Sequence, residues 1–208
     1  MKKLILLSLV VIFLLAGPLA FAWDGGKFGL FYRIDPVGRI WLTPTATFPQ
    51  DFNTEKIQNV GIVYNFSPKV ALKASVLFAF LNGKFESAGT EVANYSSTVI
   101  GVQVDIPISV VNVNKFDFYI APAVRFAYAP IKYEEPPGTV DEDLKFTEIA
   151  GIVNFGGQIM ITDNFAVFGE WGVAFTYSMV KDDLFDFQGS GTAIHTDQVG
   201  IGISFYVN

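Results

Sequence analysis

The sequence has no cysteine, one histidine (His195) and only 16% charged residues. Each scarcity removes a class of protein. Without cysteine there is no disulfide to support a fold outside the cytoplasm, and no thiolate to bind a metal or act as nucleophile. A single histidine cannot build a His-rich metal site. The 14 Lys and Arg residues are outnumbered by 20 Asp and Glu, a net charge of −6, so a polyanion such as nucleic acid finds no electrostatic footing. Long apolar runs are missing too: beyond residue 22 nothing approaches the roughly 20 residues of a transmembrane helix. Yet 51% of the chain is hydrophobic. A hydrophobic chain without a spanning helix can enter a membrane only by closing a β-sheet on itself.

Residues 1–22 have the layout of a secretory signal peptide. Lys2 and Lys3 form a basic start, residues 4–15 an apolar core, and Gly17 and Pro18 break it ahead of Ala20-Phe21-Ala22. Cleavage is expected before Trp23, and no cysteine follows to accept a lipid. An uncleaved anchor helix is the alternative, disfavoured by Pro18 and the small-x-small site. The remaining residues, 23–208, are long enough for one domain. Removal of Lys2 and Lys3 takes its charge from −6 to −8.

From Val70 onward, apolar side chains occupy alternate positions. In residues 165–177 one series reads Phe165, Val167, Trp171, Val173, Phe175, Tyr177, and the other Ala166, Phe168, Glu170, Gly172, Ala174, Thr176. Period-2 alternation indicates strands. One greasy face and one of small residues and isolated charges indicate a barrel turned inside out, with lipid against the greasy face. The fold class expected is all-β: an eight-stranded antiparallel up-and-down transmembrane β-barrel. Its strands are placed near 57–66, 70–80, 95–106, 116–128, 146–161, 165–177 and 196–207, with a first strand somewhere in 28–47. Both 28–34 and 38–47 alternate, separated by Asp35-Pro36-Val37-Gly38. The stretch 38–47 is favoured as the first strand, with 28–34 as a periplasmic lead-in or part of one long, bulged strand; ten strands is the alternative. Connections 67–69 and 162–164 are tight, and 107–115 is a longer link on the same side. On the other side lie 49–56, 81–94, 129–145 and 179–195. Short turns face the periplasm in such barrels, so both termini are expected there. Tyr128, Tyr133, Phe146 and Trp171 are candidates for interfacial aromatics.

Two stretches resemble a known superfamily. Phe155-Gly-Gly-Gln-Ile-Met-Ile-Thr-Asp-Asn-Phe-Ala-Val-Phe-Gly-Glu-Trp-Gly-Val-Ala-Phe-Thr-Tyr177 is similar to the penultimate hairpin of small outer-membrane β-barrel proteins of the OmpA/OmpX/OmpW-like kind. Val60-Gly-Ile-Val-Tyr-Asn-Phe-Ser-Pro-Lys-Val-Ala-Leu72 resembles an earlier hairpin of the same group. The resemblance implies the bacterial outer membrane as location, export through the Sec pathway, and assembly machinery that reads the C-terminal strand. It specifies architecture and leaves activity open. One departure is the ending, Phe205-Tyr206-Val207-Asn208, where such chains usually close on an aromatic residue.

The inward face carries charges at mid-strand: Lys73, Asp105, Arg125, Glu148 and Glu170, with Gln103, Asn154 and Gln158 nearby. Eight strands leave room only for side chains, so these charges are expected to pair, Arg125 with Glu148 and Lys73 with Asp105 or Glu170. The expected function is a structural or surface-interaction role with a side-chain-plugged interior. Two alternatives stand beside it: a narrow channel for ions or small hydrophobic solutes, with Leu77, Ile152 and Phe168 as apolar lining, and a soluble lipocalin-like barrel. No catalytic residue, cofactor or metal site is expected. Ser190 and His195 lie near one height, but the stretch His195-Thr196-Asp197-Gln198 lacks the pattern of a barrel-embedded deacylase. The acidic stretches (Glu134, Glu135, Asp141, Glu142, Asp143; Asp182, Asp183, Asp186) suit bridging through divalent cations to lipopolysaccharide, or simple solvation. Expected partners are therefore outer-membrane lipid and lipopolysaccharide, with the protein a monomer.

Overall fold

Burial alternates residue by residue along every long strand, and that alternation dictates the architecture. The computed structural model describes residues 27–35, 57–87, 90–134, 142–182 and 187–207. The leader at 1–22 lies outside them, as do the stretch 38–47 and most of the acidic tips. The strands are β1 (Phe28–Asp35), β2 (Ile57–Asn65), β3 (Ala71–Ser87), β4 (Thr90–Asp105) and β5 (Ile108–Val113). They continue as β6 (Phe116–Glu134), β7 (Glu142–Thr162), β8 (Phe165–Asp182) and β9 (Phe187–Val207).

Eight of them close a ring, β1-β2-β3-β4-β6-β7-β8-β9, with every neighbour antiparallel. The seam between chain ends is β1 on β9, running from Phe28 opposite Val207 to Ile34 opposite Ile201. β1 is therefore a barrel strand, which corrects the preference for 38–47. Its inward positions are Phe31, Arg33 and Asp35, and those charges belong to the phase that faces the lumen.

A second correction concerns 107–115. This link is mostly strand: β5 continues the line of β4 along β6, interrupted where Pro107 has no N–H to donate. A two-residue turn joins β5 to β6 and puts Asn114 at φ 54°, a left-handed conformation that asparagine tolerates better than most residues. The long connections of the other end are also shorter than expected. Ladders run on through β3–β4, β6–β7 and β8–β9, pairing Ser87 with Thr90, Tyr133 with Glu142 and Asp182 with Phe187.

The outer face is a continuous apolar surface. Val102, Val104, Phe118, Val124, Phe126, Ile149, Val153, Trp171, Phe175 and Ile201 are all exposed. Along β7 the exposed series from Ile149 to Ile161 rises about 40 Å, which at a tilt of about 45° is about 30 Å of membrane normal, the thickness of a hydrocarbon core. This greasy exterior is the reverse of a lipocalin. Tyr128 and Tyr177 sit half-exposed at the loop-side limit of the belt, while Trp171 lies within it, stacked on Phe155 at 5.6 Å. Phe146 is fully buried inside and is no interfacial aromatic, a further correction. Its position shares the phase of Glu148 and Ala150. The side chain of Tyr133 lies outside the described residues.

Candidate functional site: the polar interior

The lumen is filled in layers. Toward the loop end, Ile57, Leu77, Ala79, Val99, Ala127, Ala129 and Phe146 form an apolar layer. Toward the turn end, Phe31, Val63, Ala166, Phe168 and Tyr206 form another. Charged and amide side chains lie in the interior with them. They face inward because their neighbours in sequence, such as Gly169 and Trp171 beside Glu170, occupy the outward phase.

Glu170 on β8 is the centre of the larger cluster. Its Oε2 accepts from Arg33 Nη1 at 2.6 Å, and its Oε1 accepts from Lys73 Nζ and the Tyr119 hydroxyl, each at 2.6 Å. Lys73 also donates to Tyr119 at 3.2 Å and stands over the rings of Phe168, Tyr119 and Phe31, with centroids at 4.3, 4.9 and 5.6 Å. Such ring faces add cation–π attraction to the ion pair. Arg33 Nε lies 3.1 Å from Asp35 Oδ1, and Asp35 Oδ2 accepts from Asn59 at 2.8 Å. Gly156 makes the Tyr119 position available, since a Cβ there would overlap the phenol ring.

Asp105 accepts from the amides of Gln103 (2.8 Å) and Asn154 (2.9 Å). It is the Cα neighbour of Lys73 across the β3–β4 ladder, yet Lys73 reaches past it to Glu170. A separate pair forms between β6 and β7, where Arg125 Nε and Nη2 donate to Glu148 Oε1 at 3.0 and 2.8 Å. All five charges singled out from the sequence are inside, each no more than 5% exposed. Arg33, Asp35, Asn59 and Tyr119 complete the cluster and were not singled out. Their signal was phase: Arg33 and Asp35 alternate against Leu30, Tyr32 and Ile34. Among the described residues the interior thus holds three cations (Arg33, Lys73, Arg125) against four carboxylates (Asp35, Asp105, Glu148, Glu170). Bonds of this length between buried charges hold side chains in one arrangement.

Ser190 and His195 are five positions apart in β9, about 16 Å along an extended strand. Among the described residues no group of His, Cys, Asp and Glu is arranged to hold a metal ion. Glu134, Glu142 and Asp182 mark the loop-side ends of β6, β7 and β8.

No protein-family model and no curated protein matches the sequence. A major outer membrane protein of Thermus thermophilus does match in structure, with a TM-score of 0.59 over 88% of this chain and 100% of that one, at 10% identity. The fold is that of a small outer-membrane β-barrel. The barrel also overlaps Ail, the attachment invasion locus protein of Yersinia pestis, at a TM-score of 0.43, 16% identity, and 88% and 97% coverage of the two chains. For OprG of Pseudomonas aeruginosa the values are 0.44, 12%, and 88% and 96%. At such identities the likeness is one of fold. The apolar belt, together with the fold shared with the Thermus thermophilus protein, places this barrel in the bacterial outer membrane.

Proposed function

We propose that the protein is a structural or surface-interaction component of the outer membrane, without catalytic activity, whose barrel is closed to solutes by its own side chains. The observation that carries this is the Glu170 cluster. It ties β1, β3, β6 and β8 together across the lumen, and the apolar layer around Leu77 and Phe146 lies on its loop side. Eight strands leave a lumen that side chains fill, and an apolar constriction resists wetting. Arg125 with Glu148 and Lys73 with Glu170 act as bracing between strands. In this reading the acidic strand tips meet divalent cations and lipopolysaccharide, the barrel works as a monomer, and the assembly machinery takes the last strand.

A narrow channel is the second reading, favoured by the cavity that penetrates from the turn end as far as Lys73 and Tyr119. Planar-bilayer recording separates the two. The purified barrel should be silent, and Arg125→Ala and Glu170→Gln should be silent too. Steady single-channel conductance that either substitution alters would overturn the plug in favour of the channel.

A further inference from the structure

At its turn end the barrel opens into a cavity of about 540 Å³, walled by the β2–β3 turn and the β5–β6 hairpin and floored by Lys73 and Tyr119. That volume is within the range of small-molecule sites. Its charge runs against the rest of the chain. Four lysines line it, Lys27, Lys69, Lys73 and Lys115, in a protein whose acidic residues outnumber its basic ones by 20 to 14. The lining has one carboxylate, Asp117, which accepts a hydrogen bond from the Ser109 hydroxyl. Lys73 is bound to Glu170, and Lys27 donates to the Asp163 carbonyl at 3.3 Å. Lys69 and Lys115 have no carboxylate within ion-pair distance among the described residues. They stand on different turns, β2–β3 and β5–β6, that share this one mouth. Deeper in, the cavity also has apolar lining on the inward phase, from Val63, Ala71, Met160 and the ring of Tyr206. Cations over a concave, low-dielectric wall focus their field into the cavity and attract an anion. Apolar surface beside them favours a ligand that also has hydrocarbon to bury.

We propose that this vestibule binds a small amphiphilic anion, a phosphate or carboxylate group joined to a short apolar tail, with Lys69 and Lys115 holding the anionic group and Val63, Met160 and the ring of Tyr206 the tail. The site is independent of whether the lumen above it conducts. Such a group could belong to a soluble compound or to an anionic lipid of the facing leaflet, and the test distinguishes them.

The full barrel, in nanodiscs of zwitterionic phosphatidylcholine, is titrated calorimetrically with hexyl phosphate. One saturable site is expected, with inorganic phosphate and hexanol each binding at least tenfold more weakly. Lys69→Gln with Lys115→Gln should weaken hexyl phosphate binding about tenfold, the combined effect of two exposed ion pairs. Lys132→Gln, at the opposite end, should leave it unchanged. Heat-modified gel mobility checks that each variant is folded. Repeating the titration in phosphatidylglycerol discs identifies the source: loss of binding assigns the site to a lipid headgroup, retention to a soluble anion. Absence of a saturable site, wild-type affinity in the double variant, or equal weakening by Lys132→Gln would overturn the proposal.

Discussion

Replacing Glu170 by alanine tests the interior where most depends on one side chain. Three donors converge on its carboxylate at 2.6 Å, from Arg33, Lys73 and Tyr119. Arg33 would keep Asp35, 3.1 Å from its Nε. Lys73 would keep only the Tyr119 hydroxyl and the surrounding rings, because Glu170 is its one carboxylate partner among the described residues. A buried cation stripped of its counter-charge costs about 3–5 kcal/mol, whereas a buried pair removed as a unit often costs little. Glu170→Ala should therefore lower the unfolding free energy by about 3–5 kcal/mol, a shift of a hundred- to several-thousand-fold in the folding equilibrium. Glu170→Gln keeps an acceptor and the volume, and should lose about 2–3 kcal/mol, the worth of a hydrogen bond to a charged group. Adding Lys73→Met to Glu170→Gln should recover much of that loss. The assay is urea unfolding of the barrel in phospholipid vesicles, followed by fluorescence of lipid-facing Trp171 and, independently, by gel mobility. A loss below about 1 kcal/mol for Glu170→Ala, or a double variant worse than the sum of its parts, would refute the reasoning.

Further predictions concern the second ion pair and the orientation. Arg125→Ala removes both donors to Glu148 Oε1, and Oε2 has no hydrogen-bond partner among the described residues, so the substitution should cost about 3–5 kcal/mol in the same urea assay; a change within about 0.5 kcal/mol would remove the pair from any bracing role. Cysteines introduced at Gly138 and Gly189 should react with a membrane-impermeant thiol reagent on intact cells, while one at Pro68 should react only after the outer membrane is permeabilised. The reverse pattern would invert the barrel and place the lysine-lined vestibule at the cell surface.

What was legible in the sequence was set by local phase, and what escaped was set by contacts distant in the chain. Within the regular stretches of the strands from Val70 onward, the face of a residue follows from period-2 alternation, because a strand in a bilayer has one lipid face and one lumen face; bulges such as the one in β9 opposite Trp171 and Val173 shift that phase. Phase alone could not choose between 28–34 and 38–47, since both alternate. The ladder of β1 to β9 decides for the former, and that pairing joins the two ends of the chain. Strand length misled in a similar way. Beyond the hydrocarbon a ladder needs no apolar face, so the continuation of β6 and β7 toward residues 134 and 142 reads as acidic loop although its backbone remains paired. Phe146 was misread because an aromatic near the membrane boundary suggests an interfacial anchor. Its place in the series with Glu148 and Ala150 turns it inward.

The choice of partner for Lys73 shows how a narrow barrel organises its interior. In the sheet the residue opposite Lys73 is Asp105, one strand away. The bond is made instead to Glu170, four strands around the ring in either direction and so directly across the lumen. Asp105 likewise takes Asn154 from β7, two strands away, and Glu170 takes Arg33 and Tyr119 from two strands away on either side. Ladder neighbours project in parallel from one wall, and their charged ends need not meet. Opposed walls of an eight-stranded barrel are close enough for a lysine and a glutamate to touch end to end. A contact of that kind holds the cross-section of the barrel, which hydrogen bonds along the wall do not. The charges that close the lumen are therefore also the ones positioned to resist its deformation, and the Glu170 and Lys73 variants test both properties with one pair of residues.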